Sequence, residues 1–160
     1  MIKALPAIFF ISLFIPQVLF GEPPALAPEF ELQDTRQDVI KLKTYRDKRP
    51  VLLFFWASWS PMCQKELRIL NDRYAGLVED GVEVLAINVG ERPESVIDFI
   101  RAYYLSYRVL LDKDASVAGS FDAVSFPTYA LIDQAGYIIA KDDYFPFAVY
   151  NELISTTKGH

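Results

Sequence analysis

Apolar and polar residues alternate in two short stretches just after Glu29, Phe30-Glu31-Leu32 and Val39-Ile40-Lys41-Leu42. A period of two marks half-buried strands, and Asp34-Thr35-Arg36-Gln37 between them supplies turn residues, so the pair predicts a small hairpin. Lys43 to Arg49 is a polar connection. Val51-Leu52-Leu53-Phe54-Phe55-Trp56 then breaks the alternation, and this apolar run, entered from Pro50, predicts a central strand buried on both faces. From Ser60 the period becomes helical. Serine suits the N-cap because its hydroxyl accepts from a free backbone N–H of the first turn, and Pro61 suits the first helical position. Leu67, Leu70, Tyr74 and Leu77 share one face, with Lys65, Arg68, Asp72 and Glu79 elsewhere, until Asp80-Gly81 ends the element.

Val82 to Val89 predicts a second apolar strand, and Pro93 to Tyr104 a second helix with Ile97, Ile100 and Tyr104 turned inward. Val109-Leu110-Leu111 reads as a strand end and Ser116 to Phe121 as a short helix. Tyr129 to Ile132 and Tyr137 to Ala140 are two strands joined at Asp133-Gln134-Ala135-Gly136, and Phe147 to Thr156 closes the chain as a helix. The main order, β-β-β-α-β-α-β-β-α, implies an α/β fold: a mixed central sheet, helices on both faces and an N-terminal β-hairpin. Its strand-helix-strand unit should be parallel and right-handed.

Length and composition narrow this picture. The chain has 160 residues, enough for one domain plus a leader, and 52% hydrophobic residues place it with ordinary globular proteins. A net charge of −5 without a Lys/Arg block argues against a nucleic-acid partner. A lone cysteine precludes an internal disulfide, and with His160 as the lone histidine no recognised metal-ligand spacing exists. Residues 1–21 read as a signal peptide or N-terminal membrane anchor, with Lys3 as the charged start and Ala7 to Ile15 as the apolar stretch before Pro16. Ala4 to Phe20 is slightly short for a bilayer core of about 30 Å. The Pro-rich residues 22–28 read as a linker and 29–157 as the domain, which places the protein outside the cytoplasm, in a periplasm if the cell has one.

Three segments carry a family resemblance. Phe55-Trp56-Ala57-Ser58-Trp59-Ser60-Pro61-Met62-Cys63 resembles the F-W-A-T-W-C-x-x-C segment of TlpA/ResA-like thiol-disulfide oxidoreductases. Val84-Leu85-Ala86-Ile87-Asn88-Val89-Gly90-Glu91 resembles the strand that ends in N-V-G-E, and Ser125-Phe126-Pro127-Thr128 with Leu131-Ile132-Asp133 resembles the segment with the cis-proline. The resemblance implies a thioredoxin-like fold, an extracytoplasmic setting and protein thiol–disulfide exchange, often in cytochrome c maturation, with no cofactor. It also implies a reacting centre at Cys63, Ser60 and Glu91. Trp59, Phe126, Pro127 and Thr128 would bind the client, whose extended chain pairs with the cis-proline segment.

The chemistry departs from that family at one position. Exchange needs an exposed thiolate to attack and a second thiol to resolve the mixed disulfide. Ser60 stands where the family carries the attacker, and a hydroxyl has no comparable acidity, so the two-thiol cycle cannot run within this chain. Ser60 either keeps only the helix cap or also hydrogen-bonds the Cys63 sulfur. Cys63 falls in the first helical turn, where N–H groups and the helix dipole favour a thiolate, but a free cysteine is equally often a small buried hydrophobe. Glu91 could raise the thiol's pKa or relay its proton, or be a loop carboxylate neutralised by Arg92. Three functions follow. The first is a single-thiol oxidoreductase whose mixed disulfide, with a protein or small-molecule thiol, is completed by an external reductant or resolving thiol. The second is a redox-inactive adaptor or holdase for exported proteins or cytochrome precursors. The third is a thiol peroxidase, since Ser60-x-x-Cys63 also resembles the peroxiredoxin T/S-x-x-C string, with Trp56 where that family has proline.

Overall fold

The computed structural model describes residues 24–158; the expected leader, residues 1–21, lies outside them. The elements are β1 (Glu31–Gln33), β2 (Val39–Lys41), a 3-10 turn (Leu42–Thr44), β3 (Val51–Trp56), α1 (Pro61–Glu79), β4 (Glu83–Val89), α2 (Pro93–Tyr103), β5 (Arg108–Asp112), α3 (Ser116–Ser120), β6 (Thr128–Ile132), β7 (Ile138–Asp142) and α4 (Phe147–Lys158).

The apolar run is the middle of the molecule. β3 lies centrally in a five-stranded sheet of order β5-β4-β3-β6-β7, and all of its residues are buried. β4 and β5 run parallel to it, β6 antiparallel to β3, and β7 antiparallel to β6. Leu52, Phe54 and Trp56 project to one face, where they meet Leu67, Leu70 and Leu77 of α1, Val96 of α2 and Ile154 of α4. Val51, Leu53 and Phe55 project to the other, against Val117 and Phe121 around α3 and Phe30 and Leu42 near the β1–β2 hairpin. The alternation of a pleated strand thus gives one sequence run two hydrophobic cores. Gly81 ends α1 with φ 78, a left-handed conformation that costs glycine little.

The structure departs from the periodicity in three places. Val109-Leu110-Leu111 is no mere strand end but the middle of a full strand, β5, because parallel pairing with β4 extends it from Arg108 to Asp112. Tyr104, expected inward, is 83% exposed: α2 ends at Tyr103, and Tyr104 takes the left-handed cap at φ 53, which swings its ring outward. Val96 is the fully buried residue of α2 instead, with Phe99 and Ile100 packed beside it. Finally, the described part of the expected linker is docked. Leu26 bridges Tyr137, the Ile138 N–H donates to the Ala25 carbonyl at 2.9 Å, and Ala27 is buried.

Two arrangements pin the periphery. Asp34, buried in the hairpin turn, accepts from the backbone N–H groups of Arg36 (2.8 Å) and Asp38 (2.9 Å) and from the Arg108 guanidinium (3.2 Å). Arg73 of α1 lies 4.2 Å over the Phe147 ring and 5.4 Å from that of Phe145, which ties the start of α4 to α1. The strand directions bring the residues after β3, the residues after β4 and the residues before β6 to one end of the sheet. All the candidate site residues lie at that end.

Candidate functional site

The site is built around the start of α1. Ser60 has the extended conformation of an N-cap (φ −86, ψ 116), and its Oγ accepts from the Cys63 N–H at 3.3 Å, with Pro61 opening the helix. The same hydroxyl donates to the Phe126 carbonyl at 3.4 Å, which draws the residue before Pro127 against the helix start. The Phe126–Pro127 peptide is cis. Ser60 therefore brings the Cys63 turn and the cis-proline segment together.

Cys63 is free and fully buried, at 0% exposure. Burial pushes its thiol above the ordinary range; hydrogen bonds from Ser60 and from the Ala57 backbone pull the other way, and the nearby Glu91 and Glu66 carboxylates add to the rise. At this position desolvation outweighs the stabilisation that a helix N-terminus offers a thiolate.

Glu91 is drawn into the loop between β3 and α1. Its Oε2 accepts from the Ser58 N–H (2.7 Å) and the Asn88 side-chain amide (2.6 Å), and its Oε1 accepts from the Ser58 hydroxyl at 2.5 Å. The Ser58 carbonyl in turn accepts from the Gln64 side chain at 2.9 Å, and Gln64 is itself held by the Tyr103 hydroxyl at 3.3 Å.

The surface-forming residues divide. Trp59 is 70% exposed and Met62 48%, so apolar surface flanks the buried Ser60. Phe126 is half-buried and packs against both cores. Pro127 and Thr128 are buried, and the Thr128 hydroxyl turns back to donate to the Ser125 carbonyl at 2.7 Å. Trp59 and part of Phe126 thus lie at the surface, whereas the Thr128 side chain does not.

Sequence reasoning passed over Glu66. This carboxylate is 4% exposed, one turn below Cys63, and accepts from the Tyr129 hydroxyl at 3.2 Å. No cation pairs with it among the described residues. Burial and Glu66 together push the Tyr129 hydroxyl well above its ordinary range. A signal was present: Glu66 falls on the same helical face as Cys63, Leu67 and Leu70, where a charged residue is out of pattern. Among the described residues no cluster of His, Cys, Asp and Glu has the makings of a metal site.

Comparison with known proteins bears on this arrangement. The sequence profile of the AhpC/TSA family matches residues 24–141. The chain is 35% identical over 113 residues to the thiol-disulfide oxidoreductase ResA of Bacillus subtilis, an alignment that takes in 71% of this chain and 63% of that protein. Among solved structures, the thioredoxin domain of a thiol-disulfide oxidoreductase from Bacteroides vulgatus superposes with a TM-score of 0.69 at 24% identity, covering 85% of this chain and 95% of that one. StoA from Bacillus subtilis gives a TM-score of 0.67 at 24% identity, covering 81% and 98%. These superpositions establish the thioredoxin-like fold expected from the sequence.

Proposed function

Because the chain belongs to the AhpC/TSA family, whose profile spans residues 24–141, we propose that it is an extracytoplasmic thioredoxin-fold protein of the thiol-disulfide oxidoreductase type that works through one thiol, Cys63. The observation that supports this reading is the contact of Ser60 with both the Cys63 N–H and the Phe126 carbonyl, which links the helix turn that carries the thiol to the cis-proline segment, with the exposed Trp59 next to Ser60 in the chain. A protein client lies extended across Phe126 and Pro127, with Trp59 as its apolar anchor. The export assignment is supported by the leader-like residues 1–21 and by the similarity to ResA.

One thiol permits half of an exchange cycle. The Cys63 thiolate attacks one sulfur of the client disulfide; a bond forms between them, the client S–S bond breaks, and the second client sulfur leaves as a thiolate. A thiolate from an external thiol then attacks the Cys63 sulfur of the mixed disulfide, so that the remaining client sulfur leaves as a thiolate, and a second external thiolate attacks the external sulfur now bound to Cys63, freeing the Cys63 thiolate and forming the external disulfide. The client disulfide is reduced and the external thiols are oxidised. Ser60 contributes the helix cap, its hydroxyl accepting from the Cys63 N–H, but no electrons.

The complete burial of Cys63 favours a second reading, a redox-inactive adaptor that binds extended clients through Trp59 and Phe126. Burial also counts against a thiol peroxidase, which uses an accessible thiolate of lowered pKa. Incubating the protein with an oxidised cysteine-containing peptide separates the two main readings. The oxidoreductase predicts a peptide adduct, detected by mass, that disappears in Cys63→Ala. No adduct, with peptide binding retained in Cys63→Ala and lost in Trp59→Ala, would establish the adaptor.

A further inference from the structure

We propose that Glu91 is a positioning residue that braces the loop of residues 57–60 and thereby sets access to Cys63, rather than a group that exchanges protons with the thiol. Ser58 is the residue that Glu91 holds. Its N–H and its hydroxyl both donate to the Glu91 carboxylate, at 2.7 and 2.5 Å, and its carbonyl accepts from Gln64 at 2.9 Å. Every polar group of Ser58 is thus held, on one side by Glu91, two residues beyond the end of β4, and on the other by the first turn of α1. Both anchors are themselves fixed: Asn88 donates to Glu91 at 2.6 Å, and Tyr103 of α2, stacked on Phe99, donates to Gln64 at 3.3 Å.

This braced loop leads into the cap of the helix that carries the sulfur. The Ser60 N–H donates to the Ala57 carbonyl at 3.3 Å, and the Ser60 hydroxyl accepts from the Cys63 N–H at 3.3 Å. Cys63 is fully buried and Ser60 nearly so, so a reagent reaches the sulfur only when this part of the structure moves. Hydrogen bonds to a charged acceptor are the strong members of such a network, and two of the three that Glu91 accepts come from Ser58. With both carboxylate oxygens engaged by donors, the group is arranged to hold a loop. The inference concerns the site of the proposed function and rests on that reading only for its biological meaning, because its test needs no client.

The test is the rate at which iodoacetamide alkylates Cys63 in the folded full chain, followed against pH, for the wild type, Glu91→Gln, Ser58→Ala and Ser58→Thr. A brace predicts that the plateau rate at high pH rises about tenfold in Glu91→Gln, the scale of one lost charge-assisted hydrogen bond. Ser58→Ala should raise it in the same direction although no charge has been removed, whereas Ser58→Thr, which keeps the hydroxyl, should leave it unchanged. A purely electrostatic role predicts the opposite pattern, in which Glu91→Gln moves only the midpoint of the profile and Ser58→Ala does nothing; that result would overturn the proposal. If Glu91→Gln does not fold, the Ser58 pair decides alone. A protein that never forms a mixed disulfide with a peptide still gives a clear answer here, so the two readings fail separately.

Discussion

The proton on Cys63 is contested by its surroundings: burial and two carboxylates hold it on the sulfur, while Ser60 and the Ala57 backbone favour its release. The balance lies with the neutral thiol, so the folded chain binds this proton more tightly than the unfolded chain does. The resulting stabilisation is complete below the ordinary thiol range and is lost as pH rises through the elevated value. Above about pH 8.5, urea titrations should therefore show the wild type losing stability faster with pH than Cys63→Ala. Equal slopes would mean that the thiol titrates alike in both states. Glu66 acts on the same proton from below. Glu66→Gln removes the charge yet keeps an oxygen for Tyr129, and the alkylation profile of Cys63 should move to lower pH. Glu66→Ala should also leave the buried Tyr129 hydroxyl without an acceptor, at a cost of about 1–3 kcal/mol in the same titration.

At the scale of the element, α1 opens on the serine cap Ser60, three residues before the buried Cys63. Ser60→Ala removes the cap and is expected to cost about 1 kcal/mol, read as a lower urea midpoint. Ser60→Cys is the sharper experiment. The new thiol would stand at the helix start within reach of Cys63, and the oxidised variant should lose the mass of two hydrogens and catalyse reduction of a protein disulfide. A Ser60→Cys chain that stays fully reduced in air would show that the frame itself is unfit for exchange. Much of this element was legible in advance: Ser60 and Pro61 marked its start, Asp80-Gly81 its end, and the leucines its buried face. What escaped was tertiary. Glu66 is buried by Tyr129 from a strand more than sixty residues away, and Glu91 reaches Ser58 across the gap between β3 and β4; no local periodicity encodes either contact. The outward turn of Tyr104 depended on a left-handed cap at a non-glycine residue, which helical spacing does not reveal.

At the scale of the whole molecule, a mixed sheet followed from a few strong signals, a doubly buried strand, a parallel crossover and a terminal pair of strands, whereas the order β5-β4-β3-β6-β7 depends on tertiary pairing that no local pattern encodes. The N-terminal region tests the setting in which this fold works. A fusion of the full chain to an enzyme that becomes active only in an oxidising compartment should be active, and deletion of residues 2–21 should abolish that activity. Activity that survives the deletion would remove the case for export through this segment.

The strand that organises both cores has another side before the chain has folded. Val51–Trp56 carries no charge, is rich in aromatic and branched residues, and has the length at which unpaired segments stack into cross-β aggregates. Lys48, Arg49 and Pro50 stand directly ahead of it, residues of the kind that discourage such stacking. If the chain crosses a membrane unfolded, this is the stretch that a holding chaperone must shield during transit, and six residues buried in the finished protein become the most hazardous in the newly made one.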